Sequence, residues 1–352
     1  MASQLLVRRA DIRILSNIVG RLLILVGFVI LTPLPVSLAF GEYFAIPGFI
    51  IAFSISVAIG LLLYIPFKDA QQARNKHGMI AAAISWLITP MVGAIPFVLV
   101  GSAIPQGSGL ACNMTYLDGF FESMSGWTGT GLTMVINEEL LPRSIQFWRT
   151  IMQWVGGVGV IVLMLAILAR PGTGAFSLYM GEARSDRLEP RVVDTVRSIW
   201  KIFLIYTILG IALLALLGMP LWDAINHAMT ALATGGFSVR DNSIASYNNP
   251  LLEMAIIPLM LMGAISFVVH YDVFRRRFKP LIEDVQNKVL FGLCIAGSIL
   301  LTMELFLRGP VSGKILSALR FGSFQFISAI TCTGLQTADI GPWSETAKIL
   351  LS

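Results

Sequence analysis

Charged side chains are scarce in this sequence: they make up 13% of its 352 residues, whereas 56% are hydrophobic. A soluble domain carries about 25% charged residues, so a soluble enzyme, a nucleic-acid-binding protein and a disordered scaffold are excluded. Histidine and cysteine are also rare, with three of each, and Cys112, Cys294 and Cys332 have no paired spacing. The cysteines therefore support neither a disulfide framework nor a zinc site.

The sequence is instead rich in long apolar blocks, and its mean hydropathy is +0.78. A block of about 20 apolar residues is long enough to cross a bilayer as a helix. We predict seven complete spans and the start of an eighth near Trp343. The seven blocks cover residues 14–38, 45–67, 78–101, 145–169, 197–218, 251–272 and 286–307.

Lysine and arginine residues concentrate on one side of these blocks, as at Arg8, Lys76, Arg184 and Arg276. Such an excess marks the cytoplasmic face of a membrane protein. The sequence therefore predicts a multi-pass protein of the cell (inner) membrane with a cytoplasmic amino terminus. The net charge of +5 is then explained by orientation and by contact with the lipid bilayer, and we expect no nucleic-acid partner.

Three shorter segments, 116–137, 221–243 and 316–340, fall on the outer side in this topology. Each is moderately apolar, too short to cross, and ends in glycine, serine and threonine. This pattern predicts re-entrant loops, which a bilayer tolerates only when protein buries them or when they line a wet path. Aligned on Gly131, Gly236 and Gly334, the segments form an internal repeat with spacings of 105 and 98 residues.

Aspartates recur at matched positions of the repeat. Asp118 and Asp223 each lie 13 residues before the glycine, where we expect them to cap the amino terminus of the short helix. Asp241 and Asp339 each lie five residues beyond the glycine.

Such a unit is suited to conducting cations. A short helix that enters from outside places the negative end of its dipole near the membrane centre. Backbone carbonyls of the following loop can then replace the water around a dehydrated cation, and glycine permits the backbone angles that this requires.

The repeats resemble the membrane subunits of the Trk/Ktr/HKT superfamily of potassium transporters, and the two amino-terminal spans resemble the extra pair of the Trk branch. The resemblance implies an all-α polytopic membrane protein of span–pore helix–span units around a pseudo-fourfold axis. It also implies potassium uptake without enzymatic activity or a bound cofactor, a homodimer, and a cytoplasmic nucleotide-binding regulatory subunit. The segments that carry the resemblance are FFESMSGWT (120–128), ATGGFS (233–238), TGLQTAD (333–339) and QWVGGVG (153–159).

By this resemblance each aligned glycine belongs to a potassium selectivity filter, and the two residues before it offer their carbonyl oxygens. Thr128 is added as a supporting residue, together with the four aspartates. The implied filter residues are Gly129, Thr130, Gly131, Thr234, Gly235, Gly236, Cys332, Thr333 and Gly334.

We expect four regions: residues 1–77 with two spans, then pore repeats at 78–180, 181–280 and 281–352. The third repeat looks incomplete and a fourth looks absent, so the sequence also resembles a carboxyl-terminally truncated transporter. A non-conducting assembly or regulatory subunit, or an inactive fragment, remains an alternative function.

Another alternative is an intramembrane enzyme that uses His227, His270 or Asp272, but no nucleophile or metal set accompanies these residues. Packing roles are favoured for both histidines.

Overall fold

The computed structural model describes residues 9–71, 73–159 and 192–352. Within these ranges the chain is helical and contains no strand. The helices are labelled α1 to α15 in chain order. They are α1 Arg9–Ile30, α2 Leu34–Ala39, α3 Ile46–Tyr64, α4 Asn75–Gly93, α5 Ile95–Ala103, α6 Tyr116–Thr128, α7 Arg143–Val158, α8 Val192–Leu216, α9 Leu221–Leu232, α10 Pro250–Ala264, α11 Phe267–Phe274, α12 Lys279–Glu283, α13 Val285–Arg308, α14 Ile315–Ile330 and α15 Glu345–Leu351.

Five helical stretches of the described chain are long and apolar enough to cross a membrane. They correspond to the first, second, third, fifth and seventh predicted spans, so the prediction of a polytopic all-helical protein is confirmed. They cover Ala10–Ala39, Tyr43–Phe67, Lys76–Ala103, Asp194–Leu216 and Val285–Arg308.

The sixth predicted span, 251–272, is wrong as a continuous helix. It consists of α10 and α11, which are bent by 108°. Ile265 ends α10 in an extended conformation, and Ser266 starts α11 by accepting the N–H of Val268 with its hydroxyl oxygen (3.3 Å). Serine is common at the N-cap of a helix. The sequence did not reveal this helix start because Ser266 lies within a continuous apolar block.

Some predicted features lie outside the described residues. They include the end of the fourth span at 160–169, the boundary between the first two predicted repeats, and the basic residues Arg8, Arg170, Arg184, Arg187 and Arg191. The positive charge expected there is thus known from sequence alone.

The chain divides into two compact units. The first consists of Met1–Thr128 and Leu140–Trp200. In it α1 packs closely on α3 because Gly20 and Gly60 bring the two backbones together, and the Ser56 hydroxyl donates to the Leu23 carbonyl (2.7 Å).

Helix α6 of the first unit packs against α4 and α7. Trp148 donates its indole N–H to the Gly93 carbonyl (3.0 Å) and stacks edge-on against Trp127. Glu122 and Arg149 form a fully buried ion pair between α6 and α7, with Nε and Oε1 2.6 Å apart. The central short helix of the first repeat is therefore fixed by both aromatic and ionic contacts.

The second unit consists of Gly129–Glu139 and Lys201–Ser352. Its larger core joins α9, α10 and α14 through small and aliphatic side chains such as Ala228, Ile256 and Phe324. A smaller core joins α13, α14 and α15 around Leu301 and Trp343. Alanines on α9 let the short helix sit deep within this unit, which positions the loop that follows it.

Candidate cation site in three glycine loops

Each aligned glycine follows the end of a short helix. We define the glycine loops as residues 129–133, 234–238 and 332–336; they follow α6, α9 and α14, and all three belong to the second unit. The carboxyl end of a helix carries unpaired carbonyls and about half a negative charge. Each loop thus begins where a cation is favoured electrostatically.

The second loop ends α9 with a tight backbone motif. The N–H of Gly235 donates to the Thr230 carbonyl (2.9 Å), and the N–H of Thr234 donates to the Ala231 carbonyl (3.1 Å). The first of these bonds spans six residues and is the signature of a Schellman helix end, whose extra residue is left-handed.

The third loop repeats the motif at equivalent positions. The backbone N–H of Thr333 donates to the Ser328 carbonyl (2.9 Å), and that of Cys332 donates to the Ala329 carbonyl (2.9 Å). The internal repeat therefore extends from residue types to individual backbone hydrogen bonds.

All three loops share an alternating backbone conformation. The aligned glycine and the residue two positions before it have positive φ, while the residue between them does not. The left-handed residues are Gly129 (67°), Gly131 (78°), Thr234 (50°), Gly236 (84°), Cys332 (55°) and Gly334 (77°). A left-handed residue at every second position turns successive peptide groups in a way that neither a helix nor a strand allows.

The three loops also contact one another. A Cβ atom added to Gly131 would overlap the carbonyl oxygen of Gly235, and one added to Gly236 would overlap that of Thr333. Backbone therefore meets backbone between the first and second loops and again between the second and third. Gly131, Gly236 and Gly334 lie around a common region rather than on separate faces.

The remaining predicted filter residues occupy less uniform surroundings. Thr130 and Cys332 are exposed, while Thr333 is buried and its hydroxyl lies 2.8 Å from that of Thr331. Thr128, at the end of α6, donates its hydroxyl to the Met124 carbonyl (2.7 Å). The hydroxyl groups of Thr128 and Thr333 therefore form hydrogen bonds at the carboxyl ends of α6 and α14.

Asp118 lies in the first turn of α6 and is paired with Thr115, the residue that precedes the helix. Its carboxylate accepts the N–H (2.9 Å) and the hydroxyl (2.7 Å) of Thr115, and its own N–H donates back to the Thr115 hydroxyl oxygen (3.3 Å). This reciprocal pair is a capping box. The Thr115 hydroxyl, followed by the Thr115 N–H, lowers the pKa of this exposed carboxyl below its ordinary value.

Asp223 has another role than the predicted cap. The carboxylate is buried, and its Oδ2 accepts the Nε–H of Arg240 (2.7 Å) and the hydroxyl of Tyr247. Pro220 occupies the N-cap position of α9, where no side-chain hydrogen bond caps the helix. Burial, and then the hydrogen bond to Asp223, raise the pKa of the Tyr247 hydroxyl.

The two aspartates beyond the glycines differ from each other. Asp241 accepts the N–H of Glu139 with Oδ1 (3.0 Å) and thereby joins the segments that follow the first and second loops. Asp339 accepts the N–H of Gly341 (2.8 Å) in an exposed turn. Only Asp241 connects two repeats through a contact described here.

Both histidines of the enzyme alternative make structural contacts. His270 lies 2.8 Å from the Met262 carbonyl and 3.1 Å from the Tyr206 hydroxyl, so it bridges α8 to the bend between α10 and α11. His227 is fully buried in α9 beside Ser238. Among the described residues no group of three or more metal-ligating side chains converges.

Sequence reasoning missed the left-handed conformation at the position of Thr234 and Cys332. A signal was present, because the first repeat has Gly129 at that position. The Arg240 partner of Asp223 was also missed, since the two residues lie on opposite sides of the loop in sequence.

A comparison with protein families matches residues 45–352 to TrkH, described as a cation transport protein. Among similar proteins, an uncharacterized cation transporter of Methanocaldococcus jannaschii is 35% identical over 97% of this chain and 67% of its own length. The Trk system potassium uptake protein TrkH of Halomonas elongata is 31% identical over 97% of this chain and 70% of its own length. The chain thus spans about two thirds of these relatives.

A solved structure is also similar. The crystal structure of the potassium transporter TrkH from Vibrio parahaemolyticus matches with a TM-score of 0.80 and 26% identity, over 96% of this chain and 68% of that chain.

Proposed function

Because this chain belongs to the TrkH family of cation transport proteins, we propose that it is the membrane subunit of a potassium uptake system. Potassium would be its substrate, passing inward through a filter of backbone carbonyls formed by the glycine loops. The observation that carries the proposal is the shared alternation of left-handed residues in three loops that contact one another.

The proposed ligands are carbonyl oxygens of the two residues before each aligned glycine. They belong to Gly129 and Thr130, Thr234 and Gly235, and Cys332 and Thr333. Carbonyl dipoles can replace the hydration shell of a monovalent cation when they are held around one axis. Because the ligand is the backbone oxygen, the cysteine in the third loop does not disqualify the site.

Two further observations support the assignment. The loops start at the carboxyl ends of α6, α9 and α14, where the helix dipoles favour a cation. Several relatives, including TrkG of Escherichia coli at 32% identity, are named Trk system potassium uptake proteins. Entry of one potassium ion would be driven by about 2.3 kcal/mol per 100 mV of membrane potential.

The wider organisation belongs to the same proposal. We infer pore repeats at 78–180, 181–280 and 281–352 after a two-span region, a cytoplasmic amino terminus and a location in the cell (inner) membrane. A homodimer and a cytoplasmic nucleotide-binding regulatory subunit are the proposed partners. Non-enzymatic transport needs no resident cofactor.

The decisive experiment replaces Gly236 by serine. The new side chain would overlap the Thr333 carbonyl and would force a left-handed φ on a residue with a Cβ atom. We expect potassium over sodium preference to fall at least tenfold in uptake by cells that lack their own potassium transporters, with unchanged membrane insertion.

A binding measurement complements uptake. A cation that binds the folded protein raises its melting temperature by mass action, so potassium should stabilise the purified wild-type protein more than sodium does. In the Gly236→Ser variant this difference should vanish. Equal stabilisation by both ions in the wild type would favour the non-conducting subunit instead, whereas unaltered preference in the variant would mean that the glycine loops are not the filter.

A further inference from the structure

A buried polar side chain occurs at the same place in all three repeats. Glu122, His227 and Gln325 each lie nine residues before the aligned glycine. These three residues are 0%, 0% and 7% exposed, respectively. Three different chemical groups at one buried position are unexpected for packing alone, because a buried polar group costs free energy unless it is hydrogen-bonded.

In the second repeat His227 connects α9 to the chain that leaves the glycine loop. Its Nδ1 lies 2.9 Å from the carbonyl oxygen of Asp223, which only accepts, so Nδ1 carries a proton. Its Nε2 lies 3.0 Å from the hydroxyl oxygen of Ser238, two residues beyond Gly236. The Ser238 hydroxyl also lies 2.9 Å from the Arg240 carbonyl oxygen, so its single proton has both that oxygen and the His227 Nε2 atom as acceptors.

Ser238 is itself tied to the returning backbone. Its hydroxyl oxygen accepts the N–H of Arg240 (2.9 Å), and Arg240 in turn pairs with Asp223. The segment that leaves the second loop is thus held to α9 through one histidine and one ion pair.

In the third repeat Gln325 makes the equivalent connection with different atoms. Its Oε1 accepts the N–H of Thr337 (3.1 Å), three residues beyond Gly334. The Ser328 hydroxyl adds a bond to the Leu335 carbonyl (2.7 Å). Again the chain that leaves the loop is bound to the short helix that precedes it.

In the first repeat Glu122 is bound to Arg149 of the following helix. The position is therefore polar and bonded in every repeat, and in the second and third repeats the bond reaches the segment just after the glycine. The inference is confined to those two.

We propose that His227 and Gln325 are positioning residues that set cation preference by fixing the outgoing end of each glycine loop to its short helix. This inference rests on the proposed function. The loop backbone is anchored at its incoming end by the Schellman hydrogen bonds. A second anchor, at the outgoing end of the loop, keeps the filter carbonyl oxygens from moving inward around an ion smaller than potassium.

The test replaces each residue by leucine, which fills the space but accepts no hydrogen bond. We expect His227→Leu and Gln325→Leu each to lower potassium over sodium preference about tenfold in uptake. His227→Gln should restore preference to within about threefold of wild type, because an amide oxygen serves this purpose in the third repeat.

Each short helix offers a matched control. Thr230→Val and Ser323→Ala remove hydroxyls that bond within their own helices, to Asn226 and Leu319 respectively. Both controls should keep wild-type preference. A loss in Thr230→Val as large as in His227→Leu would show that any polar deletion in α9 disturbs the filter, and would overturn the inference.

Leucine variants that do not reach the membrane are replaced by His227→Asn and Gln325→Asn, which stay polar but are shorter. Wild-type preference in folded variants of either kind overturns the inference. The Gly236→Ser variant separates the two failures. If it leaves preference unchanged, the filter itself is wrong, whereas if it alone lowers preference, only the anchoring inference is wrong.

Discussion

Thr234 in the second glycine loop and Cys332 in the third occupy the same left-handed position and make the same backbone hydrogen bonds. The side chains that secure the two loops differ. The second uses His227 and an Asp223–Arg240 pair, whereas the third uses Gln325. Backbone geometry is thus common to the two repeats while the means of holding it varies, as expected if carbonyl groups rather than side chains contact the ion.

The ion pairs extend this comparison. Asp223 of α9 pairs with Arg240 beyond the second loop, whereas Arg320 of α14 pairs through two bonds of 2.6 Å with Glu253 of α10. In both pairs the acid is buried and the arginine is partly exposed. The acid is on the short helix in one repeat and on a neighbouring helix in the other.

The largest expected effect comes from the thiol that distinguishes the third loop. Cys332 is exposed, whereas Cys112 and Cys294 are buried. Burial also raises the pKa of the Cys112 thiol to about 12, which suppresses its reactive thiolate. A small charged methanethiosulfonate added from outside should therefore modify Cys332 alone and abolish uptake.

Cys332→Ser should keep uptake and become insensitive to the reagent. Thr234→Cys in that background tests whether the second loop is equally open; since Thr234 is only half-buried, we expect slower but measurable block. If the reagent modified Cys332 but uptake did not fall, the third loop would lie away from the ion path.

An intermediate effect is expected for the aspartates at matched positions of the first and second repeats. Asp223→Ala leaves Arg240 and Tyr247 without their buried acceptor. We expect a loss of about 2 kcal/mol of stability, less than for a fully buried pair because Arg240 is partly exposed. Asp118→Ala removes an exposed cap and should have a smaller effect. Thermal melting of the purified proteins measures both.

Glu253→Ala provides the comparison for the short helix of the third repeat, since it removes the carboxylate partner of Arg320, which keeps its hydrogen bond to the Asn248 amide oxygen (3.0 Å). Its effect should resemble that of Asp223→Ala. If Asp118→Ala lowered the melting temperature as much as Asp223→Ala, the buried pair would contribute no more than a surface cap.

The matched aspartates also show how far sequence reasoning reaches. Helix existence, the repeat and the three glycines followed from apolar length and from aligned glycine and threonine residues, because these patterns are local. The partner of Asp223 did not, because Arg240 lies 17 residues away and only the fold brings the two together. The bend after Ala264 was hidden for a similar reason: apolar composition reports burial in lipid, and one serine cap hardly changes it.

The smallest expected effect tests whether the left-handed backbone is strained in the second loop. A residue with a Cβ atom in this conformation costs about 1–2 kcal/mol, and β-branched Thr234 is the most restricted of the three residues at its position. Thr234→Gly should therefore stabilise the protein by about 1 kcal/mol after the extra entropy of glycine in the unfolded chain is subtracted. Cys332→Gly should stabilise it less, and Gly129→Thr in the first loop should destabilise it.

Potassium preference should survive Thr234→Gly, because the carbonyl that serves as the proposed ligand is retained. Lost preference in a more stable variant would mean that the threonine side chain itself contributes to the site, and the second loop would then differ from the third in function as well as in its anchors.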